Sequence, residues 1–222
     1  MFGCFYFAID TIPKNWYNEF MQNEIYIRTA TTADAEKIRA LYAPYVQKTA
    51  ISFEYVTPSM EEFANRIEHI LPDHPWLVAE SGNEIAGYAY AEKLYERPAY
   101  ARAAETSVYV KEDCRRGGVG RKLYESMENI LKRQFVTNLY ACIAYRETED
   151  GTLTRASVDF HRAMGYRLRE NSNDAALNSD SGTTSYGWKK SSASTTGRTL
   201  FRFQACGINE THDINFRRKL CT

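Results

Sequence analysis

The sequence has no excess of charge of either sign, since its 222 residues contain 28 Lys and Arg and 28 Asp and Glu. A chain without net charge exerts no overall attraction on nucleic acid or an anionic membrane, so a bound anion must be held locally. The five cysteines, at positions 4, 114, 142, 206 and 221, form no C-x-x-C pair and lack the spacing of metal ligands. We therefore expect reduced thiols and no bound metal.

A long hydrophobic run is also missing. The apolar stretch over residues 1–9 has no basic leader and is interrupted by Asp10 and Pro13 before it reaches the length of a membrane span. These features predict a cytoplasmic protein. Because Met21 stands just before the first regular pattern, we expect residues 1–20 to be a non-native extension; an ordered extra arm is the alternative.

The composition, with 44% hydrophobic and 14% aromatic residues, is sufficient for one packed domain. Alternating and helical patterns follow one another from about residue 24 to residue 169. They predict strands over 24–28, 76–80, 85–91, 104–110 and 138–144, and helices over 35–46, 58–71, 121–133 and 154–164. Three strands in series followed by a strand–helix–strand unit predict an α+β fold with a mixed sheet.

The most specific motif is a glycine-rich loop between the strand ending at Val110 and the following helix. Its glycines, at positions 117, 118 and 120, allow a tight turn and present N–H groups to an anion, while arginines at 115, 116 and 121 add positive charge. Neither Gly-Lys-Ser/Thr nor G-x-G-x-x-G is present, so a P-loop and a dinucleotide fingerprint are disfavoured. A purely structural turn with solvated arginines is the alternative.

Arg115, Gly118 and Gly120 match R/Q-x-x-G-x-G/A after a strand, and in this the chain resembles the GNAT superfamily of N-acetyltransferases. The resemblance implies acetyl-CoA as co-substrate, with loop amides on the pyrophosphate and a strand edge on the pantetheine arm. A Thr at 154 replaces the Asn usual in that family, which weakens the contact expected there. The implied cofactor-binding residues are Val108, Tyr109, Val110, Arg115, Arg116, Gly117, Gly118, Val119, Gly120, Arg121, Thr154 and Ser157.

Four further segments, over 27–35, 52–54, 97–100 and 104–110, are similar to the phosphinothricin-acetyltransferase-like branch of this superfamily. The branch implies a small amino-acid-like amine as acceptor and a homodimer. Two alternatives stay open. The first is that the chain is an inactive or truncated acyl-CoA-binding protein. The second is that it acetylates another amine or a protein N-terminus.

Acetyl transfer needs a deprotonated amine, because an ammonium group has no lone pair for attack. The resemblance makes Glu105 the general base and His161 a donor of a proton to the leaving thiolate. An outward-facing strand glutamate and a histidine packed against Tyr166 are the respective alternatives. Four residues are candidates for the acceptor pocket, although core packing and solvation explain some of them equally well: Phe53, Glu54, Arg97 and Tyr100.

Beyond Arg169 the sequence becomes too polar to pack, yet the family fold needs two more strands there. If the codons of residues 178–190 are read in a neighbouring frame, they can encode F-G-Q-W-Y-D-I-V-W-M-E-K. This peptide resembles the C-terminal end of the branch. We therefore hypothesise that a frameshift near Arg169 replaced the native C-terminus. This predicts a domain over 21–169, an irregular tail over 170–222 without the last strands, and impaired activity.

Overall fold

The computed structural model of the protein describes residues 24–145, 149–170 and 184–191. Within them, seven strands form one sheet in the order β1-β2-β3-β4-β5-β7-β6. All neighbouring strands are antiparallel except β4 and β5, which are parallel. The strands are β1 (Tyr26–Thr29), β2 (Trp76–Ser81), β3 (Glu84–Lys93), β4 (Ala103–Val110), β5 (Asn138–Tyr145), β6 (Arg167–Glu170) and β7 (Thr184–Ser191).

Helices cover both faces of the sheet and create two cores. The helices are α1 (Ala35–Lys48), α2 (Met60–Ile70), α3 (Val119–Arg133) and α4 (Ala156–Ala163). Side chains alternate along β2, so that Trp76 and Val78 pack with α1 and α2, whereas Leu77 and Ala79 pack with α3. The predicted α+β fold, with a meander followed by a strand–helix–strand unit, is confirmed.

The C-terminal strands differ from the sequence-based expectation. We expected the last strands to be missing, but β6 and β7 are both present, and β7 pairs with β5 from Asn138↔Ser191 to Tyr145↔Thr184. That expectation was wrong because a ladder is formed by backbone N–H and C=O groups, which a polar segment also supplies. The frameshift itself stays a prediction, and residues 1–20 and most of the tail lie outside the described residues.

None of the helices in the described part of the chain is long and apolar enough to cross a membrane.

A partly buried ion pair connects the first strand to the first helix. Both guanidinium nitrogens of Arg28 contact the Asp34 carboxylate at 2.7 Å, and Arg28 also contacts Glu80 on β2. The Thr31 backbone N–H donates to the same carboxylate at 2.7 Å, which is part of a capping box before α1. These contacts, above all the one with Arg28, hold the pKa of Asp34 at about 2.

Asp34→Asn tests this cluster. A carboxylate whose pKa falls on folding stabilises the protein above its unfolded pKa, and this stabilisation is lost as the pH falls toward about 2. We expect the variant to lose roughly 2 kcal/mol of unfolding free energy at pH 7. The difference from wild type should shrink below about pH 4. Urea unfolding at several pH values measures it, with the exposed Asp113→Asn as control; equal losses in the two variants would contradict the assignment.

Candidate active site

The strands β4 and β5 pair over a short length and then separate. Their parallel register consists of Ala103↔Asn138, Ala104↔Leu139 and Glu105↔Tyr140, although both strands continue for five more residues. A narrow cavity of about 50 Å³ lies where they part, lined by residues 106–109 and 141–144 together with Ile51, Ser157 and His161. We call this space the β4–β5 cleft.

The edge of β4 presents unpaired backbone groups to this cleft. The Lys111 N–H donates to the Ala86 carbonyl, so Tyr109 and Ser107 also bond toward β3 and the alternate residues face the other way. The N–H and C=O of Val108 therefore face the cleft, and no described residue pairs with them. An extended polar chain can add to this edge as a strand would.

Tyr45 on α1 limits the length of the open edge. Its hydroxyl donates to the Val110 carbonyl at 2.6 Å and accepts from the Val110 N–H at 3.1 Å. The Arg115 guanidinium lies over the Tyr45 ring, 5.2 Å from its centroid. Val108 is therefore the position on this part of β4 at which the backbone N–H and C=O remain available to a ligand. Arg115, the first residue of the glycine motif, lies over the same tyrosine that pairs with Val110.

The glycine loop leads into an open helix N-terminus. Gly118 has a φ of 82°, in the left-handed region, and it caps α3 without any side-chain hydrogen bond to the helix. The amides of the first turn, at Val119, Gly120 and Arg121, have no acceptor within the helix and point toward an anion. A Cβ built on Gly120 would meet Phe160 at 3.1 Å and Val110 at 3.7 Å, so this N-terminus lies against β4 and α4.

The arginines and remaining residues of the loop surround this N-terminus. Arg115, Arg116, Gly117 and Arg121 are exposed, and Arg116 has a φ of 63°. Within the described part of the chain, the one ion pair of Arg121 is a long surface contact with Glu125, at 3.7 Å. Basic side chains and orphan amides together form the kind of surface that binds a phosphate group.

Glu105 occupies the last paired position of β4, at the base of the cleft. It lies directly opposite Glu92 on β3, and cross-strand partners of like charge repel one another. Partial burial, assisted by the negative charge of Glu92, raises the pKa of Glu105 to about 7. A carboxyl group with this pKa exchanges protons readily near neutral pH, which suits a general base.

His161 lies in the cleft wall, but both of its ring nitrogens are hydrogen-bonded to protein groups. Its Nδ1 is 2.7 Å from the Ser157 carbonyl, which can only accept, and its Nε2 is 2.9 Å from the Tyr124 hydroxyl. Burial lowers the pKa of His161 to about 4, so the ring is neutral and its Nε2 accepts from Tyr124. In this geometry His161 has no proton to give to a thiolate. The packing alternative is favoured, with Tyr166 at a centroid distance of 5.2 Å.

The predicted acceptor residues lie in two loops. Phe53 packs in a small cluster with Ala144 and Leu153, which fits the core-packing alternative. Glu54 pairs through Oε1 with Arg66 at 2.7 Å, while its Oε2 is buried without a hydrogen-bond partner. A buried carboxylate oxygen of this kind is costly unless a ligand or water supplies a donor.

The second loop connects β3 and β4. Arg97 is exposed and forms no ion pair with the described residues, whereas Tyr100 is half-buried against Tyr95, with ring centroids 4.7 Å apart. Tyr95 also interacts electrostatically with Glu105, which places the Tyr95–Tyr100 pair near the base of the cleft. The loop therefore approaches the candidate base from the side opposite to the glycine motif.

The two residues expected at the start of the last helix have separate positions. Thr154 is exposed, and its hydroxyl accepts from the Ala156 N–H at 3.4 Å, just before α4. Ser157 is half-buried and lines the cleft. The structure thus brings Ser157 to the candidate site, whereas Thr154 contacts only the local backbone among the described residues.

Sequence reasoning missed four residues of the site: Tyr45, Arg66, Thr106 and Tyr124. Thr106 carried a usable signal, because it is a polar side chain on the strand face otherwise occupied by Val108 and Val110. The other three reach the site from distant helices, and nothing in their local pattern distinguishes them from core or surface residues.

Two further observations concern other kinds of site. A surface cavity of about 780 Å³ lies between β1 and the C-terminal end of α3, at Lys132 and Arg133, which is the opposite end of α3 from the glycine loop. Among residues 24–145, 149–170 and 184–191, no group of three or more His, Cys, Asp or Glu side chains is arranged to hold a metal ion.

Known proteins share this sequence pattern. Residues 27–179 match the family described as the acetyltransferase (GNAT) domain. Phosphinothricin N-acetyltransferase of Alcaligenes faecalis is 39% identical over 145 residues, covering 63% of this chain and 68% of that protein. The phosphinothricin N-acetyltransferase of Streptomyces coelicolor is 31% identical over 149 residues, which cover 65% of this chain and 82% of that protein.

Solved structures share the fold. Ribosomal-protein-alanine N-acetyltransferase from Brucella melitensis superposes with a TM-score of 0.68 at 25% identity, covering 75% of this chain and 99% of that one. A phosphinothricin acetyltransferase from Sinorhizobium meliloti, in complex with acetyl-CoA, superposes with a TM-score of 0.65 at 25% identity. The match covers 75% of this chain and 88% of that one. With its sheet order, split strands and glycine loop, this chain belongs to the GNAT family of acetyltransferases.

Proposed function

We propose that this protein transfers the acetyl group of acetyl-CoA to the primary amine of a small amino-acid-like substrate. Phosphinothricin, which the names of its relatives mention, is the favoured acceptor, and the similar amino acid methionine sulfoximine is the second candidate. One observation carries most of the proposal: the unpaired edge of Val108 and the open N-terminus of α3 meet in one cleft that has Glu105 at its base.

The cofactor would bind along the cleft. Its extended pantetheine arm pairs with the N–H and C=O of Val108, and its pyrophosphate takes the amides at the start of α3 with the arginines of the loop. This orientation directs the thioester toward Glu105. Acetyl-CoA supplies an activated acyl group, so the protein needs no metal to polarise it.

The chemistry then follows from the position of Glu105. The carboxylate accepts a proton from the substrate ammonium through a water molecule, and the freed lone pair attacks the thioester carbonyl carbon. The C–N bond forms, the C–S bond breaks, and the proton that the nitrogen loses as it becomes an amide passes to the departing CoA thiolate. Glu105 returns its proton to solvent.

The acceptor pocket would lie on the α1 and α2 side of the sheet. The unpartnered Oε2 of Glu54 can accept from a substrate N–H, and the exposed Arg97 is free to bind a substrate carboxylate. A homodimer is also part of the proposal, and it rests on the resemblance alone. The cytoplasmic location stays a sequence-based prediction.

The proposal is tested by thiol release from acetyl-CoA with a panel of amines. Phosphinothricin and methionine sulfoximine should release thiol faster than unrelated amines or an alanine-terminated peptide. Faster release with the peptide would indicate that the acceptor is a protein N-terminus and not a small amino acid. Binding of acetyl-CoA without release by any amine would favour an inactive acyl-CoA-binding protein.

Glu105→Gln tests the general base. The amide keeps the size of the side chain but cannot accept the proton, so we expect kcat to fall about 100-fold or more. In the wild type, kcat/KM should rise with pH up to about 7 as the carboxyl group ionises. Turnover that survives unchanged in the variant would remove Glu105 from this role.

Glu92→Gln separates the titration of Glu105 from that of the substrate amine. Removing the opposing negative charge lowers the pKa of Glu105, so the acidic limb of the kcat/KM profile should move to lower pH. The expected shift is about half a pH unit, since burial is the larger cause of the raised pKa. The exposed Glu96→Gln is the matched control, and identical profiles for all three proteins would refute the pairing.

Gly118→Ala tests the loop. A side chain at a φ of 82° is strained, which should cost about 1 kcal/mol in unfolding free energy and weaken acetyl-CoA binding. Urea unfolding and titration calorimetry measure the two effects. Gly151→Ala serves as control because a Cβ meets no atom within 4 Å at either glycine, whereas Gly118 alone of the two has a positive φ. Equal behaviour of both variants would argue against a strained cofactor loop.

A further inference from the structure

A buried hydroxyl lies at the point where β4 and β5 separate. Thr106 is 2% exposed and follows Glu105, the last residue of β4 that pairs with β5. Its Oγ1 donates to the Tyr140 carbonyl at 2.9 Å. Because Tyr140 is the strand partner of Glu105, this side chain adds a hydrogen bond at the final rung of the ladder.

Two tyrosine hydroxyls approach the same oxygen. The Tyr166 hydroxyl is 3.0 Å and the Tyr124 hydroxyl 3.3 Å from Thr106 Oγ1. Since Thr106 uses its own proton on the Tyr140 carbonyl, its oxygen accepts from Tyr166. Tyr124 gives its proton to His161 Nε2 at 2.9 Å, and His161 Nδ1 donates to the Ser157 carbonyl.

The rings that carry these groups pack against one another, and those of Tyr124 and Tyr166 belong to the core that also contains Ile143 of β5. Tyr124 and Tyr166 have centroids 5.9 Å apart, and each contacts His161, at 5.5 and 5.2 Å. All three rings are buried, so the network has no water to replace a lost partner. It connects β4 and β5 to α3 and α4 at one place.

We propose that Thr106 is a positioning residue that fixes where β4 and β5 part, and thereby keeps the edge at Val108 open for acetyl-CoA. The proposal rests on the proposed function for the identity of the ligand. Thr106 pins the last rung, the rings hold the strands apart beyond it, and the cofactor enters at the next edge-facing residue, Val108. Its effect is on cofactor binding, transmitted through the backbone of β4.

Thr106→Val and Thr106→Ser test this role. Valine keeps the shape but leaves the Tyr166 hydroxyl without its acceptor and removes the added donor from the Tyr140 carbonyl. The Kd of acetyl-CoA by calorimetry and its KM should rise about tenfold, with kcat at saturating cofactor and the KM of the amine changed less than twofold. Serine keeps the hydroxyl and should stay within about twofold of wild type in all four.

The outcomes are distinct. A wild-type protein that does not bind acetyl-CoA contradicts the proposed function. If wild type binds and Thr106→Val binds equally well, or loses only thermal stability, the positioning role is overturned and the function stands. Should the valine variant fail to fold, Thr106→Ala removes the same hydroxyl with a smaller side chain. An unchanged Kd in that variant overturns the inference as well.

Discussion

The separation of β4 and β5 after three paired residues constrains the rest of the molecule. Parallel strands inside a sheet normally satisfy one another along their whole length, so unpaired groups there need either a substitute or a ligand. The structure supplies substitutes at both ends of the gap. Thr106 adds a bond at the last rung, and Tyr45 pairs with both backbone groups of Val110, which leaves Val108 open between them.

The same geometry places groups of different chemical character along one cleft. The chain leaves β4 through a turn with two left-handed residues, Arg116 and Gly118, and enters α3 with no side-chain hydrogen bond at its N-cap. Orphan amides and exposed arginines therefore lie beyond the open edge. At the other end of the cleft, Glu105 faces Glu92 across the ladder and has a pKa near neutral, about 7. In the proposed function, the groups for phosphate binding, strand-like pairing and proton transfer are thus placed in order along β4 and the loop that follows it.

Local chemistry made much of this predictable from the sequence. The alternation before Val110, the glycines after it and the helical period beyond them predicted the strand, loop and helix that the structure contains, and Glu105 was identified through resemblance. The network around Thr106 was not predictable, because Tyr124, Tyr140 and Tyr166 reach it from separate elements. The strand β7 was missed for a different reason: its polar residues gave no hydrophobic pattern, although its backbone pairs with all eight residues of β5.

The central claim is that the backbone of Val108 is the open edge at which acetyl-CoA adds to the sheet. Hydrogen exchange of the Val108 amide, measured by NMR with and without acetyl-CoA, tests it most directly. The account predicts rapid exchange in the free protein and strong protection on binding, while the amide of Val110, already bonded to Tyr45, changes little. Binding of acetyl-CoA with unchanged exchange at Val108 would contradict the account.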